Sequence, residues 1–221
     1  MKTPNLTLWG AGTSRTIRAH WALHELELPY ERRPIGPRTG ETKTAEFTAL
    51  NPRQKVPLLQ DGDFTIGESA AIVAYLSRTY AAGGHGLIPE GDRSYAAWLE
   101  WCFFIVAELD STSLYVMRRH RPDGLGHIYG TAPAVVEQAA EYFRNQLRHV
   151  DQALSDGRAY LLGDQFTSAD ILLTTCLEWA VAYGVGVCDS AQPYMQRIAS
   201  RPALQRARTA NVMPTPPVTP A

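Results

Sequence analysis

The sequence predicts a small α/β domain at the N-terminus, followed by a domain made only of helices. Up to residue 80, short β-type segments alternate with helical segments. A Gly-rich stretch at residues 81–86 has the composition of a linker. Beyond it, apolar residues recur at spacings of three and four, the period of a helix. The length of 221 residues allows one or two domains.

The first elements form a β-α-β pattern. Residues 6–9 are a short β-type segment, and the Gly-rich residues 10–14 form a loop. Residues 15–26 place Ile17 and Trp21 on the inner face of a helix, and a second strand begins at Pro29. Two strands joined by a crossover helix are expected to lie parallel in one sheet.

The stretch from residue 51 to residue 76 predicts a bend, a β-hairpin and a helix. Val56-Pro57 opens an apolar run, and Asp61-Gly62 is a strong hairpin signal. The return strand then leads through Glu68 directly into a helix-forming run. Residues 36–50, rich in Gly, Pro and Thr, are expected to form a loop with one short helix at 45–50.

The second half carries long amphipathic helices. Two of them are predicted at residues 92–119 and from Pro133 onward, and Thr167 and Asp170 form a capping-box pattern at the start of another. Pro193 and Pro202 are expected to begin two short final helices. The predicted divisions are an N-terminal domain at 1–82, a linker at 83–91, a helical domain at 92–211 and a Pro-rich tail at 212–221 that is expected to be extended or disordered.

Composition excludes several classes of function. A net charge of −1 and a pI of about 6.6 argue against nucleic acid as a partner, which favours a concentrated basic face. No apolar run is long enough to span a membrane, and the first residues lack the apolar core of a signal peptide. Cys102 and Cys176 lie in apolar helical contexts and are expected to be buried and reduced. We therefore expect a cytoplasmic protein.

The ends of the hairpin unit suit a small peptide ligand. Because proline cannot donate to a sheet, the backbone of Val56 can be left with polar groups that pair with an extended peptide. At the other end, Ser69 lies where a helix N-terminus favours a carboxylate, and Glu68 offers an acceptor for an ammonium. A ligand with an amide centre and an amino-acid end fits this arrangement.

The same residues carry a specific resemblance. The pattern N-P-x-x-K-V-P-x-L, a D-G turn and E-S-x-A-I-x-x-Y-L resembles the soluble glutathione S-transferases, and the chain is most similar to their bacterial and theta-like Ser/Thr type. The resemblance implies a thioredoxin-like N-terminal domain followed by an all-helical domain, a cis bond before Pro57, and a homodimer. It also implies that glutathione is the co-substrate, bound by Lys55, Val56, Pro57, Glu68 and Ser69.

The chemistry implied by this resemblance requires a thiolate, because the thiolate of glutathione is the nucleophile. Family members lower the thiol pKa with a hydroxyl, or use a cysteine, in the loop after the first strand. Residues 10–18 contain neither tyrosine nor cysteine. Thr13 and Ser14 are therefore the candidate catalytic residues, and a shift of one residue in the loop would exchange them.

Family members often carry Gly where Gln54 stands and some carry His where Thr42 stands, which leaves Lys55 as the candidate for the glycyl carboxylate.

The electrophile is expected between the loop at 10–13 and the helix at 92–119, with Gly12, Tyr115 and Met117 as lining residues. We predict no metal site. His20 and His24 lie one helical turn apart but lack an evident third ligand, and we expect them at the surface or at an interface.

The sequence thus predicts a glutathione transferase that conjugates glutathione to a small hydrophobic electrophile. Two alternatives stay open at this point. One is a glutathione-dependent disulfide reductase, which hydroxyl-type members can be without a cysteine. The other is a non-catalytic glutathione-binding or structural module that has kept the fold.

Overall fold

The structure, a computed structural model, describes residues 5–81 and 86–214. The chain divides into two compact units. The first combines the described residues up to Gly86 with those from Arg201 onward, and the second runs from Leu87 to Ser200. The predicted linker lies in part, and the predicted tail mostly, outside the described residues.

The first unit is built on a four-stranded sheet of order β2-β1-β3-β4. Its strands are β1 (Leu6–Trp9), β2 (Glu31–Arg33), β3 (Leu58–Asp61) and β4 (Phe64–Gly67). β1 pairs parallel with β2 and antiparallel with β3, and β3 pairs antiparallel with β4. Both the β-α-β unit and the hairpin at Asp61-Gly62 are therefore confirmed.

The register of the sheet decides which loops meet. Trp9 lies opposite Leu58, and Leu58 lies opposite Gly67. The end of β1, the beginning of β3 and the end of β4 therefore share one edge of the sheet. The loops that leave these three positions are brought together although they are far apart in sequence.

The helices of the first unit are α1 (Thr16–Glu25), α2 (Ala45–Leu50), α3 (Ser69–Tyr80) and α10 (Pro202–Ala210), with a 3₁₀ turn at Glu41–Lys43. Helix α1 is at the centre of the unit, and its apolar side chains are almost wholly removed from water. The core comprises Leu8, Trp21, Leu23, Leu59, Ile72 and Leu76.

Helix α10 lies in the first unit by its contacts, and the division predicted from the sequence groups the same residues with the helical residues of 92–211. It packs on α1, and Arg201 forms a two-pronged ion pair with Glu25 at 2.7 Å for each prong. Leu204 and Ala207 are fully buried. The last helix therefore completes the first unit, a partnership between residues far apart in sequence that local patterns do not encode.

The second unit contains helices only, as predicted. They are α4 (Asp92–Phe104), α5 (Tyr115–His120), α6 (Gly126–Tyr129), α7 (Pro133–Leu154), α8 (Ser168–Ala182) and α9 (Ala191–Ala199), with a π-helical segment at Ile105–Leu114. We predicted one continuous helix where α4, the π segment and α5 follow one another. Among the described residues, no helix is long and apolar enough to cross a membrane.

Helix α8 begins with the predicted capping box. Asp170 accepts a hydrogen bond from the Thr167 backbone N–H at 2.7 Å, and the Thr167 side chain accepts from the Asp170 N–H in return. The same carboxylate accepts from the Leu161 N–H at 2.8 Å and from the Tyr194 hydroxyl at 2.9 Å. Asp170 is fully buried. This residue therefore ties the start of α8 to the chain before it and to α9.

Candidate functional site

The loop after β1 closely approaches the start of β3. A Cβ placed on Gly10 would lie 2.6 Å from the Cβ of Val56, a distance that real Cβ atoms do not show, and Gly10 has a φ of +114°. Both the spacing and the backbone conformation therefore require glycine at this position. This contact brings the loop of residues 10–15 against the side chain of Val56.

The backbone of Val56 has the unused polar groups that we predicted. The Val56-Pro57 bond is cis, as the resemblance implies. Within the described residues, neither the N–H nor the C=O of Val56 makes a hydrogen bond. Asn51 supports the preceding bend, since its Nδ2 donates to the Lys55 carbonyl at 2.8 Å. Val56 can therefore offer one donor and one acceptor to an extended peptide, and Lys55 next to it is exposed.

The N-terminus of α3 is open to a negative charge. Among the described residues, no side chain caps helix α3, and its first turn contains no acidic residue. Ser69, its first residue, is 7% exposed, and its hydroxyl accepts a hydrogen bond from the buried Arg18 at 3.3 Å. A helix N-terminus and a guanidinium both favour a nearby carboxylate. The first turn of α3 therefore carries no negative side chain to neutralise the positive potential at the helix N-terminus and Arg18.

Glu68 precedes this helix in a rare backbone conformation, with a φ of +65°. Such conformations in residues other than glycine cost about 1–3 kcal/mol and cluster at ligand sites. The carboxylate of Glu68 forms an ion pair with Arg53, and both side chains are largely exposed. Glu68 therefore lies at the rim of the site, where its partner can be exchanged.

The two candidate catalytic hydroxyls differ in their hydrogen bonds. The hydroxyl of Thr13 accepts from the Thr16 N–H at 3.0 Å and lies 3.0 Å from the Thr16 hydroxyl. Ser14 is half-buried, and within the described residues neither its hydroxyl nor its N–H has a partner. Thr13 is thus occupied with the start of α1, whereas Ser14 has its hydrogen-bonding groups available.

His20 holds the loop of residues 10–15 through a hydrogen bond to Gly10, a contact that the sequence did not reveal. We expected a histidine at the surface or at an interface, but His20 is fully buried. Its Nε2 lies 3.1 Å from the Gly10 carbonyl, and its Nδ1 lies 2.8 Å from the Tyr30 hydroxyl. Burial lowers the pKa of His20 to about 4 and raises the pKa of Tyr30 to about 12. His20 is therefore neutral, donates to Gly10 and accepts from Tyr30.

The predicted lining residues lie in different surroundings. Gly12 is exposed in the loop. In the second unit, Tyr115 is half-buried, but Met117 is fully buried in the core of that unit and has no surface to offer a ligand. Among the described residues, no group of three or more His, Cys, Asp or Glu side chains could hold a metal ion.

Comparison with known proteins gives the family context. A family model described as the N-terminal domain of glutathione S-transferase matches residues 4–78, and one described as its C-terminal domain matches residues 133–210. Glutathione S-transferase 3 of Zea mays is 34% identical over 96% of this chain and 97% of its own length. GstB of Escherichia coli (strain K12) is 27% identical over 91% and 96%.

Solved structures agree with these matches. The theta class glutathione S-transferase from the citrus canker pathogen Xanthomonas axonopodis pv. citri, solved with glutathione bound, is 26% identical to this chain. The two superpose with a TM-score of 0.76 over 92% of this chain and 97% of that one.

Proposed function

The chain belongs to the glutathione S-transferase family, and on that premise we propose that it conjugates the thiolate of glutathione to a hydrophobic electrophile. The observation that carries the proposal is that three sets of polar groups without partners among the described residues meet at one edge of the sheet. They are the backbone of Val56, the N-terminus of α3 and the hydroxyl of Ser14.

Each part of glutathione has a chemically suited partner at this edge. The cysteinyl amide would pair with the N–H and C=O of Val56 next to the buried Pro57, in the manner of an added strand. The γ-glutamyl carboxylate would bind at Ser69, where the helix dipole and Arg18 favour negative charge. The γ-glutamyl ammonium would bind Glu68, and the glycyl carboxylate would bind the exposed Lys55.

In this arrangement the sulfur lies near the start of α1, and we assign thiolate stabilisation to Ser14. Two observations favour it over Thr13. The Thr13 hydroxyl already accepts the Thr16 N–H, and Ser14 offers both a hydroxyl and an N–H without partners among the described residues. Lowering a thiol pKa by about two units corresponds to about 2.7 kcal/mol. Two charge-assisted hydrogen bonds to sulfur are of that order.

The fate of the thiolate completes the proposal. Once the thiol has lost its proton, the thiolate attacks the electrophilic carbon; with a halogenated aromatic, the C–S bond forms, the C–halogen bond breaks and halide leaves. Catalysis consists of proximity and electrostatic stabilisation. We place Gly12 next to the reacting sulfur. A homodimer in the cytoplasm is part of this proposal.

Ultraviolet difference titration of the bound glutathione thiol tests the assignment. We expect a lowered thiol pKa in the wild type and a return toward about 8.5 in Ser14→Ala. We also expect kcat for a halogenated aromatic substrate to fall roughly 10- to 100-fold, which is about 1.4–2.7 kcal/mol. The KM for glutathione should change little, because the peptide contacts remain.

Thr13→Ser is the matched control, since it keeps a hydroxyl for Thr16 and should retain the low thiol pKa. An ordinary thiol pKa in the wild type, with glutathione bound, would overturn the catalytic proposal and favour a binding module. Turnover with a disulfide substrate but with no electrophile would favour a reductase instead.

A further inference from the structure

The three residues that follow α10 lie across the loop at the start of α1. The Gly12 N–H donates to the Asn211 carbonyl at 2.7 Å and lies 3.2 Å from its Oδ1. The Thr16 hydroxyl donates to the same Oδ1 at 2.7 Å. The Asn211 Nδ2 donates to the Thr13 carbonyl at 3.1 Å. One asparagine thus binds the loop on both sides of Ser14.

The next two residues, Val212 and Met213, also hold the segment 211–213 in place. Arg32 donates a hydrogen bond to the Val212 carbonyl. The side chain of Met213 packs against two glycines: its Cγ lies 2.7 Å from where a Cβ of Gly12 would be, and its Cε lies 3.3 Å from the corresponding position at Gly36. Any side chain at residue 12 would therefore collide with Met213. The segment 211–213 is fitted to the loop and held from several directions.

This arrangement explains how Ser14 can be both unpaired and well placed. A functional side chain has to be held to within about 0.5 Å of its working position by the groups around it. Within the described residues, Ser14 makes no hydrogen bond of its own, and the residue that caps α1, Arg15, provides no side-chain cap. The positions of Gly12, Thr13 and Thr16 therefore determine where the Ser14 hydroxyl points.

We propose that Asn211 is a positioning residue for the thiolate, acting through this loop. The proposal rests on the proposed function of Ser14, and it adds that a residue at the far end of the chain sets the geometry of that group. Removing the Asn211 side chain leaves its backbone bond to Gly12 but breaks the bonds to Thr13 and Thr16. The loop should then sample positions in which the hydroxyl no longer reaches the sulfur.

The test compares Asn211→Ala with the wild type in two independent measurements. Without ligand, hydrogen exchange of the peptide covering residues 10–16 should become at least fivefold faster in the variant. With glutathione bound, the thiol pKa should rise and kcat should fall roughly tenfold, while the KM for glutathione stays within about threefold. A rise in thiol pKa of about one unit corresponds to that tenfold loss.

Three further variants separate positioning from stability. Asn211→Asp keeps an acceptor for Thr16 and Gly12 and should recover part of the exchange protection. Val212→Ala leaves the backbone contacts unchanged and alters only an exposed side chain, so it should behave as wild type. Arg201→Ala removes the ion pair between α10 and α1 and should lower the melting temperature without moving the thiol pKa.

The outcomes distinguish this inference from the proposed function. Unchanged exchange at residues 10–16 in a folded Asn211→Ala variant overturns the positioning role, whatever the activity. An unchanged thiol pKa and kcat, against a lowered wild-type thiol pKa, overturns it equally. Faster exchange combined with an ordinary wild-type thiol pKa supports the role of Asn211 in holding the loop and instead refutes catalysis by Ser14.

Discussion

Helices α3 and α8, one in each unit, begin in opposite ways. At α8, the buried Asp170 accepts hydrogen bonds from the Leu161 N–H, the Thr167 N–H and the Tyr194 hydroxyl. At α3, no side chain in the described part of the protein caps the first turn, and the residue before it, Glu68, adopts a positive φ. One helix start has its polar groups satisfied by the protein, and the other leaves them for something else.

The difference between the two helix starts shows how to distinguish polar groups that stabilise the fold from polar groups that bind a ligand. A buried polar group costs about 1–3 kcal/mol when it is left without a partner, so proteins usually provide one. Where unpaired donors and acceptors gather at one edge, as at Val56, Ser14 and the start of α3, a ligand is the natural partner. Perturbing α8 should therefore change stability, and perturbing α3 should change binding.

The largest effect is expected from Asp170→Ala. The substitution leaves the buried N–H groups of Leu161 and Thr167 without acceptors, and we expect a loss of about 3–5 kcal/mol in the free energy of unfolding. Urea unfolding measures it. Asp189→Ala, at an exposed site, is the control and should stay within about 0.5 kcal/mol of wild type. A small effect of Asp170→Ala would show that the hydrogen bonds to the Asp170 carboxylate contribute little to the free energy of unfolding.

The next largest effect is the pH dependence of the free energy of unfolding that arises from His20. Burial lowers the pKa of His20 from 6.5 to about 4, with Arg32 and His24 acting in the same direction. Between these pH values the unfolded chain binds a proton that the folded protein does not. Neutral His20 therefore makes its full contribution to the free energy of unfolding above pH 6.5. That contribution, about 3 kcal/mol in total, is lost as the pH falls toward 4.

Urea unfolding of the wild type and of His20→Asn at pH 7.5, 6.5, 5.5 and 4.5 checks this prediction. The wild type should lose stability with falling pH more steeply than the variant, because only the wild type titrates at this position. Parallel pH profiles would show that His20 is not the group responsible.

A smaller effect is expected at the open helix start. Ser69→Ala removes the hydroxyl that we assign to the γ-glutamyl carboxylate, and hydrogen bonds to charged groups contribute about 1.5 kcal/mol or more. We expect the Kd for glutathione to rise roughly tenfold, with kcat at saturation nearly unchanged. Ser77→Ala on the same helix is the matched control, because within the described residues that buried hydroxyl donates a hydrogen bond to the Val73 carbonyl and to no other group. Equal affinities for the two variants would remove Ser69 from the site.

The smallest effect is expected from Arg53→Ala. Its ion pair with Glu68 has side chains that are 64% and 63% exposed, so water and salt screen it. Unfolding free energy should change by less than about 1 kcal/mol. Glutathione should bind as well or slightly better, because Glu68 is then available to the ammonium, whereas Glu68→Gln should bind it more weakly. Calorimetric titration at low and high salt compares the two.

Much of this architecture follows from local sequence signals. The Asp61-Gly62 turn, the β-α-β unit and the Thr167–Asp170 capping box each depend on a few neighbouring residues, and the structure has all three. The glutathione-site assignments at Lys55 and Glu68 came from a motif, and they stay predictions until a ligand is bound.

What the sequence could not supply is contact between distant residues. The burial of His20 depends on its contact with Gly10, and the place of α10 depends on Glu25 far from it in sequence. The choice between Thr13 and Ser14 depends on loop geometry, which Asn211 helps to set. No local pattern indicated that asparagine.

The membership of α10 in the first unit has a consequence for the order of synthesis. A ribosome delivers the N-terminal segment first, and domains generally fold as they emerge. Here the first unit is interrupted by the whole helical unit and lacks its last helix until Arg201 and the residues after it have been translated. A nascent chain stalled before that point carries α1 without its partner helix, so the first unit is completed only after the helical unit has been translated.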